Sequence, residues 1–159
     1  MYTIGTIPTG FGATMTALST LSLHKNKLFG TIPPSLGNIS YLVYFTANLN
    51  NLTGTLPDSL SVLTDLAEIR LDVNSLTGPL PESWGQIDSL TQLVVNYNSL
   101  TGSIPSAWCN MTNLVVFAVG YQSNDELNCY EECFYSADNP NQTQFEMDYM
   151  TDCHLSKLL

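Results

Sequence analysis

The stretch "NSLTGPLPESWGQIDSLTQLVVNYNSLTGSIP", from Asn74 to Pro105, states one phrase twice: NSLTG at Asn74 returns at Asn98, and PLP at Pro79 returns as SIP at Ser103. The offset is 24 residues (98 − 74). A fixed period of about 20–50 residues signals stacked units before any local propensity is weighed. Working outward, the glycine of a G-x-[IL]-P phrase recurs at Gly5, Gly30, Gly54, Gly78 and Gly102, in steps of 25, 24, 24 and 24. Asparagines at Asn26, Asn50, Asn74 and Asn98 keep the same spacing, with Gln122 in the fifth slot. The one extra residue lies in "FGATM" (Phe11–Met15), where later copies read LGNI, LSVL, WGQI and WCNM. An insertion there belongs on a convex return loop and not in a strand.

Apolar residues fall in fixed columns along the copies. One column is Leu18, Leu42, Leu66, Leu90 and Leu114; the next is Leu21, Phe45, Ile69, Leu93 and Phe117; a third is Leu23, Ala47, Leu71, Val95 and Val119. Their alternation with variable residues predicts a short strand with one buried face. A single coil cannot bury that face alone, so neighbouring coils must stack. On the return path Phe11, Leu36, Leu60, Trp84 and Trp108 form a column, as do Met15, Ile39, Leu63, Ile87 and Met111. These fill the space behind the sheet, and a proline fixes the turn before each.

Asparagine is usually a surface residue, so its column needs its own reason. Where the chain turns away from the strand, backbone N–H and C=O groups would be buried without partners. A carboxamide has two donors and a two-lone-pair acceptor, enough to serve its own coil and a neighbour. Asn26, Asn50, Asn74 and Asn98 are read as this structural ladder. Gln122 departs from the pattern, and the ladder is expected to fray there.

The five copies and their N-x-L-T-G-x-I-P phrasing resemble the plant-type leucine-rich repeat proteins, a group that includes receptor-kinase ectodomains and polygalacturonase-inhibiting proteins. The resemblance covers about three quarters of the chain. It implies an α/β right-handed solenoid of about five 24-residue coils, a parallel sheet on the concave face, and partner recognition on that face. The family ordinarily places a cysteine-bearing cap before its first coil. Here "MYTIGTIPTGFG" opens directly in the tail of a repeat, which suggests a fragment of a longer protein.

Residues 1–124 are read as repeats and 125–159 as an acidic cap. Eight of the 14 acidic residues lie between Asp125 and Asp152, and a solenoid needs a polar lid on its last coil. Cys109, Cys129, Cys133 and Cys153 are even in number and clustered at one end, which favours two disulfides in an oxidising compartment. All three connectivities remain open. A zinc site from Cys129, Cys133, Cys153 and His154 is the rival, but the spacing fits no common finger. No metal and no cofactor are therefore expected. Sequons stand at Asn38, Asn51, Asn110 and Asn141, none of them on the concave strand face. Their number is close to what the abundance of Ser and Thr gives by chance, so their placement carries the reading of a secreted glycoprotein.

A formal charge of −10 argues against nucleic acid or an anionic membrane as partner. No apolar run is long enough to span a bilayer, so no membrane contact is expected within the chain. No nucleophile–base pair, nucleotide motif or kinase motif appears. Glu68 and Asp72 flank Arg70 on one strand and read as an open ion cluster, not as a glycosidase pair. Function is then expected in the exposed residues of the concave strands: Tyr44, Glu68, Arg70, Gln92, Val94, Tyr97, Val116 and Tyr121. The reading is an extracellular module that binds a protein or peptide there. An inhibitor of a secreted cell-wall hydrolase and a structural or adhesive wall or matrix protein are the two alternatives.

Overall fold

The computed structural model describes residues 2–123 together with the strand Leu127–Asn128. In chain order the strands are β1 (Ile4–Gly5), β2 (Thr20–Ser22), β3 (Lys27–Thr31), β4 (Tyr44–Thr46), β5 (Asn51–Gly54), β6 (Glu68–Arg70), β7 (Ser75–Pro79), β8 (Gln92–Val94), β9 (Ser99–Ser103), β10 (Val116–Ala118) and β11 (Leu127–Asn128). They form two parallel sheets. The even-numbered strands up to β10 make a five-stranded sheet in the order β2-β4-β6-β8-β10, and the odd-numbered strands make a six-stranded sheet in the order β1-β3-β5-β7-β9-β11. The chain is thus an α/β solenoid, each coil placing one strand in each sheet. The five-stranded sheet is the expected concave one. The outer sheet is built from the L-T-G segment, for which the sequence pattern predicts no strand, and it continues past residue 124 through β11, which pairs with β9.

Register follows the sequence period. Tyr44, Glu68 and Gln92 are Cα partners on β4, β6 and β8, and so are Phe45, Ile69 and Leu93. Each pair of partners is one coil apart, so stacking places like columns over each other. Behind the sheets Leu36, Ile39, Phe45, Leu60, Leu66, Ile69, Trp84, Leu93 and Trp108 are almost wholly buried. Trp84 and Trp108 lie nearly parallel, with centroids 6.4 Å apart and planes 4° apart. A buried indole N–H needs an acceptor. Trp84 Nε1 donates to the Pro57 carbonyl at 3.1 Å and Trp108 Nε1 to the Pro81 carbonyl at 3.0 Å. Pro57 and Pro81 therefore supply an acceptor to the next coil as well as a turn.

The return path is a five-residue 3₁₀ turn in four copies: Pro34–Asn38, Asp58–Val62, Glu82–Gln86 and Ser106–Asn110. In the first copy it is the α-helical turn α1 (Phe11–Thr14). The extra residue explains the change. Met15 N–H reaches back four residues to the Phe11 carbonyl, whereas Ile39 N–H reaches back three to Leu36, and an α turn holds more residues than a 3₁₀ turn. Met15 is 47% exposed, at the end of the stack of coils. Gly37 sits where the turns touch: a Cβ there would lie 2.3 Å from the Ser59 carbonyl oxygen.

The asparagine column forms a continuous ladder. Asn74 Nδ2 donates to Leu71 O of its own coil at 3.0 Å and to Ala47 O of the preceding coil at 3.1 Å, while its Oδ1 accepts from Leu52 N at 3.0 Å. Asn50 and Asn98 repeat the set, and Asn26 takes Thr3 N. The expected fraying at Gln122 does not occur. Gln122 Oε1 accepts from Leu100 N at 2.9 Å, and Nε2 donates to Val119 O at 2.7 Å and Val95 O at 3.3 Å. Glutamine presents the same carboxamide as asparagine, and one added methylene leaves it within reach of the same backbone groups.

Candidate ligand-recognition face

Four columns of side chains line the side of the five-stranded sheet that faces away from the core. The first is Thr20, Tyr44, Glu68, Gln92 and Val116; the second is Ser22, Thr46, Arg70, Val94 and Ala118; the third is His24, Asn48, Asp72, Asn96 and Gly120; the fourth is Lys25, Leu49, Val73, Tyr97 and Tyr121. Parallel pairing holds the first two in register across β2, β4, β6, β8 and β10. Polar contacts run across the face. Ser22 and His24 share a hydrogen bond at 2.9 Å, Asn48 Nδ2 donates to Asp72 Oδ2 at 3.4 Å, and Arg70 Nε lies 3.9 Å from Asp72 Oδ1.

Two expectations for this face need correction. Val94 is expected among the exposed residues, but it is only 8% exposed, and Ala118 beside it is 7% exposed. Val94 is a short side chain in register between Arg70 and Ala118, so it lies below the reach of its longer neighbour. The fourth column is not a strand column at all. Lys25, Leu49, Val73, Tyr97 and Tyr121 have φ between 54° and 57°, in the left-handed region. Their side chains cannot be explained by strand propensity. A valine there is a true outlier, because its branched Cβ crowds the following carbonyl.

Hydrogen bonding fixes this conformation. Leu49 N–H donates to Asp72 O at 2.9 Å, Val73 N–H to Asn96 O at 3.1 Å, and Tyr97 N–H to Gly120 O at 3.2 Å. Each of these three residues is thereby held by the next coil on one side and precedes the ladder amide of its own coil on the other. Strain of this kind persists where the surroundings over-determine it. Its side chain is turned outward: Leu49, Val73 and Tyr97 are exposed, Tyr97 to 45%. Tyr97 and Tyr121 stack with centroids 4.6 Å apart and planes 7° apart. The sequence held no signal for this turn, because none of its five positions carries the glycine or asparagine that usually marks a positive φ.

Of the other sequence candidates, Asn38 and Asn110 end two of the 3₁₀ turns and Asn51 begins β5; all three are exposed and lie away from the five-stranded face. Cys109 is disulfide-bonded. Cys129, Cys133, Cys153, Asn141 and His154 lie outside the described residues. Among the described residues no group of three or more His, Cys, Asp or Glu side chains could hold a metal ion, and no helix is long and apolar enough to cross a membrane.

The sequence model of the Leucine Rich Repeat family matches residues 17–39 and 89–111. The plant peptide hormone receptor RGFR1, solved in complex with RGF2, superposes with a TM-score of 0.71 at 36% identity, over 73% of this chain and 18% of that one. The Arabidopsis receptor kinase HAESA ectodomain, solved with an IDA peptide hormone, gives 0.74 at 32% identity, over 79% of this chain and 21% of that one. PEPR1 in its complex with AtPEP1 gives 0.71 at 25% identity, over 89% and 22%. No curated protein matches the sequence. This chain spans about a fifth of the length of those solved chains. The stacked coils, the two parallel sheets and the amide ladder define a repeat solenoid. The chain is a leucine-rich repeat solenoid, similar to the ectodomains of plant receptors.

Proposed function

We propose that the chain is the ligand-recognition part of an extracellular leucine-rich repeat protein, and that it takes an extended peptide or a protein surface against the five-stranded face. The observation that carries this reading is the contrast among columns. The ladder column keeps a carboxamide and the core columns keep an apolar residue in every coil, while the outward column Thr20, Tyr44, Glu68, Gln92 and Val116 has no two alike and mixes hydroxyl, aromatic, acidic, amide and aliphatic side chains. Positions that stacking leaves unconstrained are free to encode a partner. The peptide complexes formed by RGFR1, HAESA and PEPR1 support the partner class. The contact set is Tyr44, Glu68, Arg70, Gln92, Tyr97, Val116 and Tyr121, with tyrosine as the residue type enriched at binding hot spots.

The same proposal places the chain in the secretory pathway. A disulfide at Cys109 belongs in an oxidising compartment, and glycans on Asn38, Asn51 and Asn110 would leave the recognition face bare. Residues 1–124 then form the recognition repeats and 125–159 the acidic cap with the remaining cysteines. The test is selection of a displayed random-peptide library on the secreted, folded chain. Binders should be recovered, and Tyr97→Ala should weaken them by ~2 kcal/mol or more, with an unchanged circular dichroism spectrum. Gln86→Ala, on the return path, should leave affinity unaltered. Equal affinity in Tyr97→Ala and Gln86→Ala would move the site elsewhere.

A further inference from the structure

Among the described residues, three buried side-chain polar atoms have no hydrogen-bond partner: Arg70 Nε, Asp72 Oδ1 and Asn96 Oδ1. All three belong to one patch of the five-stranded face. Arg70 ends β6 and Asp72 follows it by two residues, with Nε and Oδ1 3.9 Å apart, too far for a hydrogen bond. Asn96 occupies the place of Asp72 in the next coil and is only 6% exposed. Elsewhere the ladder amides bond their own coil and the preceding one. A native fold keeps few buried polar atoms unpaired, because each costs stability, and such an atom calls for an explanation.

We propose that these three atoms form a subsite for a primary carboxamide, the side chain of an asparagine or glutamine in the bound peptide. The proposal rests on the peptide reading above and names one feature of its ligand. The patch offers two acceptors and one donor. A carboxamide brings two N–H donors on one nitrogen and one carbonyl acceptor, so its NH₂ serves Asp72 Oδ1 and Asn96 Oδ1 while its oxygen accepts from Arg70 Nε. A carboxylate has no donor and would face Asp72 with like charge. A guanidinium or ammonium has no acceptor for Arg70 and adds a second cation beside it. A hydroxyl has one proton and leaves one of the two acceptors unpaired. Entry is through Arg70, whose side chain is 42% exposed, against 14% for Asp72. Rotation of its outer guanidinium uncovers the pair beneath, and the ligand amide replaces it as the group facing Asp72.

The experiment uses three probes with the same backbone: acetyl-glutamine N-methylamide and its glutamate and arginine counterparts. Each is titrated into the ¹⁵N-labelled full chain, with the Arg70 Nε–H, the Asn96 side-chain NH₂ and the Val73 and Tyr97 backbone amides as readouts. The glutamine probe should give saturable shifts at these groups, and the other two should not. Asn96→Leu and, independently, Arg70→Leu should each weaken the glutamine probe about tenfold, the scale of one charge-assisted or well-buried hydrogen bond. Arg70 is partly exposed, so its variant remains informative if Asn96→Leu fails to fold. No saturable shift with the glutamine probe, equal response to glutamate or arginine, or indifference to both substitutions would overturn the subsite. So would a crystal structure of the probe-soaked chain with an ordered water bridging the three atoms and not displaced. The peptide selection separates the two claims: displayed binders without Asn or Gln at a fixed position would sink the subsite and keep the peptide reading, whereas probe binding without any displayed binder would do the reverse.

Discussion

The two sheets are stacked by the same period and carry opposite kinds of sequence. In the outer sheet, Leu28, Leu52, Leu76 and Leu100 recur without change, and Gly30, Gly54, Gly78 and Gly102 accompany them at φ of 76° to 85°. In the five-stranded sheet the positions that face away from the core pass from threonine through tyrosine, glutamate and glutamine to valine. Both sheets satisfy their backbone by pairing with the neighbouring coil. The difference lies in what the side chains must do besides. A column that fills the interior or makes the turn is restricted in chemical kind by geometry, and a column that meets solvent is constrained only by what it contacts. In a repeat protein each coil is a control for the next, so a variable column marks a surface available for function.

The sharpest way to break this comparison is to truncate one residue from each class. Trp84→Ala removes a wholly buried ring, its stacking on Trp108 and the bond to Pro57, and should cost ~3–5 kcal/mol in urea denaturation. Tyr44→Ala, on the variable column, should stay within about 0.5 kcal/mol of the parent. A comparable loss at both positions would mean that the variable column is structural after all.

The ladder comes next in size. Asn74→Ala leaves Leu52 N–H without its acceptor and takes one of two amide donors from each of the Ala47 and Leu71 carbonyls, which keep Asn50 and Asn98; the unsatisfied buried N–H alone costs about 1–3 kcal/mol. Ser75→Ala, the exposed neighbour, is the control for thermal melts, with a change of no more than about 0.5 kcal/mol. The comparison is lost if the two melt together.

A smaller effect should have the opposite sign. Val73 carries a β-branched side chain at φ 56°, a conformation that asparagine tolerates far better. Val73→Asn should raise stability by about 0.5–1 kcal/mol while weakening any partner that lies over the fourth column. Equilibrium unfolding and a binding titration on the same sample would show gain and loss together. A stability loss would remove strain as the reason this column stands apart.

Most of the scaffold was legible because its physics is local and repeated. Buried leucines at 24-residue spacing, the asparagine column and the return-path aromatics all follow from stacking, and one coil predicts the next. What escaped was set by tertiary bonds. The left-handed turn at Lys25, Leu49, Val73 and Tyr97 is imposed by the adjacent coil on residues that would not choose it alone. Gln122 looked like a departure, yet its function resides in the amide and not in the chain length that carries it. Val94 is buried beside Arg70 and Ala118, its register partners in the neighbouring coils, a relation that its residue type alone does not record. The outer sheet was hidden in a motif whose glycine reads most easily as a turn.

The ladder has one further property, its direction. Asn50, Asn74, Asn98 and Gln122 each bond their own coil and the one before it. Leu52 N–H therefore waits for a residue more than twenty positions downstream, and Ala47 O, already bonded by Asn50, takes a second amide from it. On a ribosome, where the chain emerges from its N-terminus, every coil is left with open valences that only the next coil can close. Chains truncated just before and just after Asn74 would expose this order through the hydrogen exchange of Leu52. Maturation of the solenoid is a ratchet: each new amide locks the coil already made and leaves the newest one unlocked until synthesis moves on.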